Sequence, residues 1–91
     1  MPDAYNRSSE RVRVDLIEAD VDIAFSLVDD ARDESRCGNR PYAQRALEDA
    51  SKTLRDIENR LQELGPDRRS PFGPLVDELR RSIREAQFEC A

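Results

Sequence analysis

The stretch that decides the fold is residues 43–64, which read AQRALEDASKTLRDIENRLQEL. Its apolar side chains recur at alternating steps of four and three residues: Ala43, Leu47, Ala50, Leu54, Ile57, Leu61 and Leu64. Steps of this size place side chains on one face of an α-helix. We therefore predict an amphipathic helix whose first half is lined by alanine and whose second half is lined by leucine. Because alanine lets a neighbouring backbone come close, we expect a hairpin that is tight near its turn and wider at the far end.

The ends of this helix carry the expected signals. Asn39 is a suitable N-cap, and Pro41 fits the first turn, where its missing N–H is not needed. Gly65 followed by Pro66 is typical of a helix C-terminus, with the glycine at the C′ position. These signals predict the second helix at about residues 40–64.

The segment before it predicts a longer helix at about residues 9–37, with Ser8 or Ser9 as its N-cap and Gly38 at C′. Its apolar stripe consists of Val14, Ile17, Val21, Ala24, Val28 and Ala31. The stripe is widened to roughly half the circumference by Leu16, Ile23, Phe25 and Leu27. An apolar arc this wide predicts that the helix packs against two neighbours.

A third helix is predicted at about residues 71–89, after a polar connection at residues 67–70. Either Ser70-Pro71 or Gly73-Pro74 opens it, and Leu75 supports its stripe. The stripe consists of Phe72, Val76, Leu79, Ile83, Ala86 and Cys90. Three such patterns with short connections predict an all-α fold, an antiparallel up-down-up three-helix bundle. We expect residues 9–91 to form its single domain and residues 1–8 to form a flexible N-terminus.

Composition narrows the classes of function. The formal charge is −5, and no concentrated basic face is visible, so nucleic acid is not the expected partner. Residues 15–34 carry eight acids and one base, whereas residues 40–63 and 67–89 each carry five of both. No apolar run approaches the roughly 20 residues that span a bilayer, and the first residues lack the pattern of a signal peptide. A cytoplasmic protein without membrane contact is the expectation.

The sequence offers little for catalysis or metal binding. It contains no histidine, which removes the usual general base near neutral pH and the commonest metal ligand. The three glycines lie at predicted helix boundaries, so no glycine-rich phosphate loop is present. We expect no enzyme, no cofactor and no metal. Cys37 and Cys90 lie toward the same end of the predicted bundle, with Cys90 about a turn or two below Cys37. We expect two separate thiols, with a disulfide as the alternative.

The first predicted hairpin resembles a known family. A turn that contains Gly38 joins two predicted helices whose facing positions are Leu27, Ala31, Ala43, Leu47 and Ala50. This pattern over residues 27–54 resembles a tetratricopeptide-like hairpin, and it is similar to three-helix microtubule-interacting-and-trafficking domains. Glu34 stands where the tetratricopeptide family has an aromatic residue, Arg55 stands where it has proline, and no second copy follows. The resemblance implies a scaffold that binds proteins or peptides. Close packing of any antiparallel helix pair is the other explanation for alanine at these positions.

These patterns predict a small non-catalytic protein–protein interaction module. The wide face of the first helix is the expected interface, formed by Leu16, Asp20, Ile23 and Leu27. Apolar surface left uncovered there predicts a homo-oligomer or docking of an amphipathic helix from another protein. We expect Asp20 to pair with Arg80 or Arg84 of the third helix. The alternative function is a chaperone-like or regulatory subunit that binds and sequesters another protein.

Overall fold

A computed structural model describes residues 2–91 of the chain, and the side chains from Ser9 onward. Helix α1 is Pro2–Arg36, α2 is Arg40–Leu61 and α3 is Gly73–Glu89. An entry segment precedes α3 without a break and consists of a helical turn, Pro66–Arg69, and a 3-10 turn, Ser70–Phe72. Residues 2–91 contain no β-strand. The all-α, three-helix prediction is confirmed.

Ion pairs between the helices establish their directions. Asp20 in α1 lies 3.4 Å from Arg60 near the end of α2, so α1 and α2 are antiparallel. Arg32 near the end of α1 lies 3.0 Å from Glu89 at the end of α3, so α1 and α3 run the same way. The predicted up-down-up order is therefore confirmed. These pairs are partly or largely exposed, and pairs of that kind add little stability.

The core lies where the three predicted apolar stripes pack against one another. All the predicted stripe residues of α2 and α3 are buried, and Ala46 joins them. In α1 the buried residues are Ile17, Val21, Ala24, Val28 and Ala31, with Val14 half-buried beside them. Leu75 is an exception to the prediction, because it is 39% exposed. Helix α1 contacts both other helices, as its wide apolar arc predicts.

The turn between α1 and α2 closes both helices with few residues. Gly38 has φ +85°. Its N–H donates to the Ser35 carbonyl at 3.1 Å, and the Asn39 N–H donates to the Glu34 carbonyl at 2.8 Å. This pair of bonds is the Schellman pattern of a helix C-terminus. The Asn39 side chain then accepts a hydrogen bond from the Tyr42 N–H at 3.4 Å and caps α2, so both capping predictions for this turn are confirmed.

Replacing Gly38 with alanine should destabilise the protein by about 1 kcal/mol, because a Cβ atom is disfavoured at positive φ. A Cβ at Gly38 would meet no atom within 4 Å, so the penalty comes from the backbone alone. Gly38→Asn is the matched control, because asparagine adopts the left-handed conformation more readily than alanine does. It should cost less stability than Gly38→Ala. Urea unfolding measures both changes, and an equal loss in the two variants would show that positive φ is not the cause.

The start of α1 differs from the prediction. We expected Ser8 or Ser9 to cap the helix, but the helix begins at Pro2 and includes both serines. Serine is a moderate helix former and not a terminator, and proline is well tolerated in a first turn. Residues 2–8 contain no repeating apolar pattern, so the sequence did not predict that the helix extends over them. The predicted flexibility of residues 1–8 lies outside the described side chains and stays a prediction.

The connection between α2 and α3 also differs. Helix α2 ends at Leu61, before the predicted Leu64. Gly65 has φ −64° and ψ 157°, so it is the extended N-cap of the next turn and not a left-handed C′ residue. The predicted polar connection at residues 67–70 is helical. A proline following a glycine is as suitable for starting a helix as for ending one, which explains the error.

Candidate interaction surfaces

The four predicted interface residues occupy two different environments. Leu16 and Ile23 are exposed, at 47% and 51%. Leu27 is half-buried and packs against the core. Asp20 is partly buried, with its side chain 23% exposed beside Arg60. The structure therefore leaves Leu16 and Ile23 available for a partner, whereas Asp20 and Leu27 help to join α1 to the rest of the bundle.

The predicted partner of Asp20 is wrong. Its carboxylate pairs with Arg60 of α2, not with an arginine of α3. Arg80 instead lies 3.1 Å from Glu58 of α2 and 3.3 Å from Asp77 in its own helix. Apolar periodicity identifies the face of a helix that points to the core, but it does not say which neighbour lies on which side. In this bundle, α2 lies on the side of α1 that carries Asp20.

Val12, which sequence reasoning missed, extends the exposed pair along α1. It is 57% exposed and lies four residues before Leu16 and eleven before Ile23, which is one stripe of a helix. We call Val12, Leu16 and Ile23 the α1 flank. Asp20–Arg60 and Arg13–Glu63 are ion pairs that join α1 to α2, at 3.4 and 3.5 Å. The i, i+4 spacing of Val12 and Leu16 is the sequence signal that could have identified the surface.

A second surface lies where α1 meets the entry segment and the start of α3. We call it the α1–α3 groove, an open cleft of about 700 Å³. Its apolar lining consists of Val14, Val21, Phe25, Pro71, Phe72 and Leu75. Its charged lining consists of Glu18, Asp22, Asp67 and Arg68. The exposure of Leu75 is explained by its position on this cleft.

Arg68 is the cation of the groove lining, and it lies 3.0 Å from Glu10. Among the side chains from Ser9 onward, Glu18, Asp22 and Asp67 take part in no ion pair within 4 Å. The groove therefore combines apolar walls with three acids that lack a cation partner in this part of the chain.

A third exposed feature is Phe88 in the last turns of α3. It is 87% exposed. The shallow surface around it contains three arginines and three acids: Arg80, Arg81, Arg84, Asp77, Glu85 and Glu89. Its charges are therefore balanced, unlike those of the groove. Sequence reasoning did not single out Phe88, because it stands outside the apolar period of α3.

The described residues show no assembled chemical centre. From Ser9 onward, no polar or charged side chain is buried, and no three acidic, cysteine or histidine residues are arranged to hold a metal ion. No described helix is long and apolar enough to cross a membrane. Both thiols are free, Cys37 exposed and Cys90 buried. The Cys90 sulfur lies 3.8 Å from the Ala31 carbonyl oxygen, which places it about 9 Å along α1 from the level of Cys37.

The fold and its surfaces define a small three-helix bundle with two uncovered apolar regions on its longest helix. Comparisons of the chain with protein-family models, with curated proteins and with solved structures found no significant match. The resemblance of residues 27–54 to tetratricopeptide-like and microtubule-interacting-and-trafficking hairpins therefore stays a prediction. The surfaces themselves are the basis for a functional proposal.

Proposed function

We propose that this chain is a small non-catalytic protein–protein interaction module that associates with a second copy through the α1 flank. The observation that carries the proposal is the exposure of Val12, Leu16 and Ile23 on one stripe of a helix. Single exposed apolar side chains are common on protein surfaces and need no explanation. Three large ones share one stripe over about 16 Å of α1, and exposed apolar surface gathered on one side of a helix marks an interface.

Charge pairing within the chain supports a second copy as the partner of this surface. The side of α1 that faces α2 carries Asp20 and Arg13, which are neutralised by Arg60 and Glu63. Two copies that meet through the α1 flank therefore do not oppose unpaired like charges along that side. Burial of Leu16 and Ile23 then supplies the favourable free energy of association.

The test is a Leu16→Ser, Ile23→Ser double variant. Burying the exposed half of each side chain on association contributes about 1 kcal/mol. A twofold interface contains four such side chains, two from each copy. The dissociation constant should therefore rise roughly a thousandfold, at about 1.4 kcal/mol for each factor of ten. Sedimentation equilibrium measures it, and circular dichroism should show unchanged helicity because neither residue is in the core.

Phe88→Ser is the control, because it removes a more exposed aromatic side chain from the end of α3. Ion pairs of Glu85 and Glu89 place that end beside Arg32 and not beside the α1 flank. This control should leave the dissociation constant unchanged. A wild-type chain that remains monomeric across the micromolar range would contradict self-association. A dimer that is lost in Phe88→Ser and retained in the double variant would move the interface to α3.

The second candidate function is a chaperone-like or regulatory subunit that binds and sequesters another protein. The acidic groove favours it, because its charges call for a partner that supplies cations and this chain has a net charge of −5. A cytoplasmic location is proposed for either function. Both functions use recognition surfaces on α1, and they differ in the identity of the bound molecule.

A further inference from the structure

We propose that the α1–α3 groove binds an amphipathic helix of another protein, one whose apolar face is flanked by lysine or arginine. This is a second site on the proposed interaction module. It uses different residues from the α1 flank and does not depend on self-association. Shape, apolar content and charge each support the proposal.

The shape of the groove fits a helix. Val14, Glu18, Val21 and Phe25 line one wall, at steps of four, three and four residues along α1. They span about 16 Å, or three helical turns. A helix lying in such a groove uses anchors with the same i, i+3 or i+4, i+7 spacing. Three turns of α1 therefore match three turns of a partner.

The apolar content of the groove is sufficient for anchors. Val21 and Phe72 are buried and form the floor, while Val14 and Phe25 are half-buried on the α1 wall. Leu75 completes the opposite side and is 39% exposed. An apolar side chain of the partner that enters the cleft would cover parts of all these residues. The gain comes from removing their remaining apolar surface from water.

The charge of the groove determines the class of partner. Glu18, Asp22 and Asp67 line it, whereas Arg68 is engaged by Glu10 at 3.0 Å. Lysine or arginine beside the anchors of a partner would pair with these acids, which accelerates association and rejects acidic partners. A second copy is a poor occupant, because it has a net charge of −5 and the surface around its exposed Phe88 has no excess of arginines over acids.

The test uses a synthetic 18-residue peptide of leucine and lysine with all leucines on one helical face. Fluorescence anisotropy measures its binding to the full chain. A peptide of identical composition in scrambled order, which has no apolar face, is the first control. A peptide with glutamate in place of lysine is the second. We expect binding of the first peptide to be at least about tenfold tighter than binding of either control, since only it satisfies both the walls and the acids.

Two charge variants locate the site. Glu18→Gln with Asp22→Asn should weaken peptide binding about tenfold and reduce its sensitivity to salt. Glu48→Gln with Asp56→Asn removes the same charge from exposed positions of α2, which does not line the groove, and it should change binding less than twofold. Leu75→Ser should weaken binding several-fold without touching the core. Equal effects of the two charge variants would show attraction to the acidic chain in general and would overturn the proposal.

The Leu16→Ser, Ile23→Ser variant separates this proposal from self-association. If peptide binding persists in that variant while the dimer is lost, both proposals stand. If peptide binding is lost in it and survives in Leu75→Ser, the helix binds the α1 flank and the groove proposal is wrong. A monomeric wild type that still binds the peptide in the groove would contradict self-association alone.

Discussion

Replacing Leu79 with alanine should lower the free energy of unfolding by about 3 kcal/mol, because it leaves a cavity that the helices close only in part. Leu79 is fully buried and lies at the centre of the α3 stripe. A chain of this length has a total stability of about 5 to 13 kcal/mol, so the loss is a large share. The melting temperature should fall by more than about 10 °C.

Leu75→Ala is the matched control for this prediction. It removes the same atoms from the same helix, one turn earlier, at a position that is 39% exposed. Its cost should stay below about 1 kcal/mol, since less apolar surface returns to water. Urea unfolding followed by circular dichroism measures both variants at one chain concentration, which keeps any contribution from association constant. Equal losses for the two leucines would contradict the assignment of the core.

The contrast between Leu79 and Leu75 shows what apolar periodicity can predict. Periodicity placed both residues on one stripe, and the regular repeat of α3 made that placement reasonable. Only Leu79 is buried, because Leu75 lies at the start of α3, where the bundle leaves the α1–α3 groove open. The spacing of apolar residues along one helix does not show how far away the neighbouring helices lie at each of its turns.

Helix ends were predictable where the residues around a glycine favour one conformation. Gly38 follows a long apolar period and has no proline after it, which favours the left-handed C′ conformation, and it adopts φ +85°. The residues around Gly65 favour no single conformation, because the proline after it permits either the end of one helix or the beginning of the next. The structure uses the second possibility. Local chemistry alone did not distinguish the two.

The candidate surfaces were predictable in part. The excess apolar width of α1 correctly indicated that Leu16 and Ile23 would remain exposed, but Leu27, which was expected beside them, is half-buried. The groove could not be predicted, because it brings Glu18 and Asp22 together with Asp67, which lies 45 residues further along the chain. The sequence also does not show on which side of α1 each neighbouring helix lies, and for this reason the predicted partner of Asp20 was wrong. Surfaces made by one helix are visible in a sequence, and surfaces made between helices are not.

The tight packing predicted near the turn leads to the second large effect. Ala50 is fully buried, as are Ala43 and Ala31 of the same hairpin. If alanine is there because the backbones lie close together, Ala50→Leu must push the helices apart or force a strained rotamer. Such overpacking costs about 1 to 3 kcal/mol and sometimes more, and we expect about 3 here because Ala50 is fully buried.

Gln44→Leu is the control for Ala50→Leu, since it also places a leucine in α2 but at an exposed position. It should change the free energy of unfolding by less than about 0.5 kcal/mol. Urea unfolding at one low chain concentration measures both variants. A wild-type stability for Ala50→Leu would mean that the hairpin has room for three more carbon atoms near its turn. Close approach would then not be the reason for its alanines, and the other features that resemble a tetratricopeptide-like hairpin would lose their physical basis.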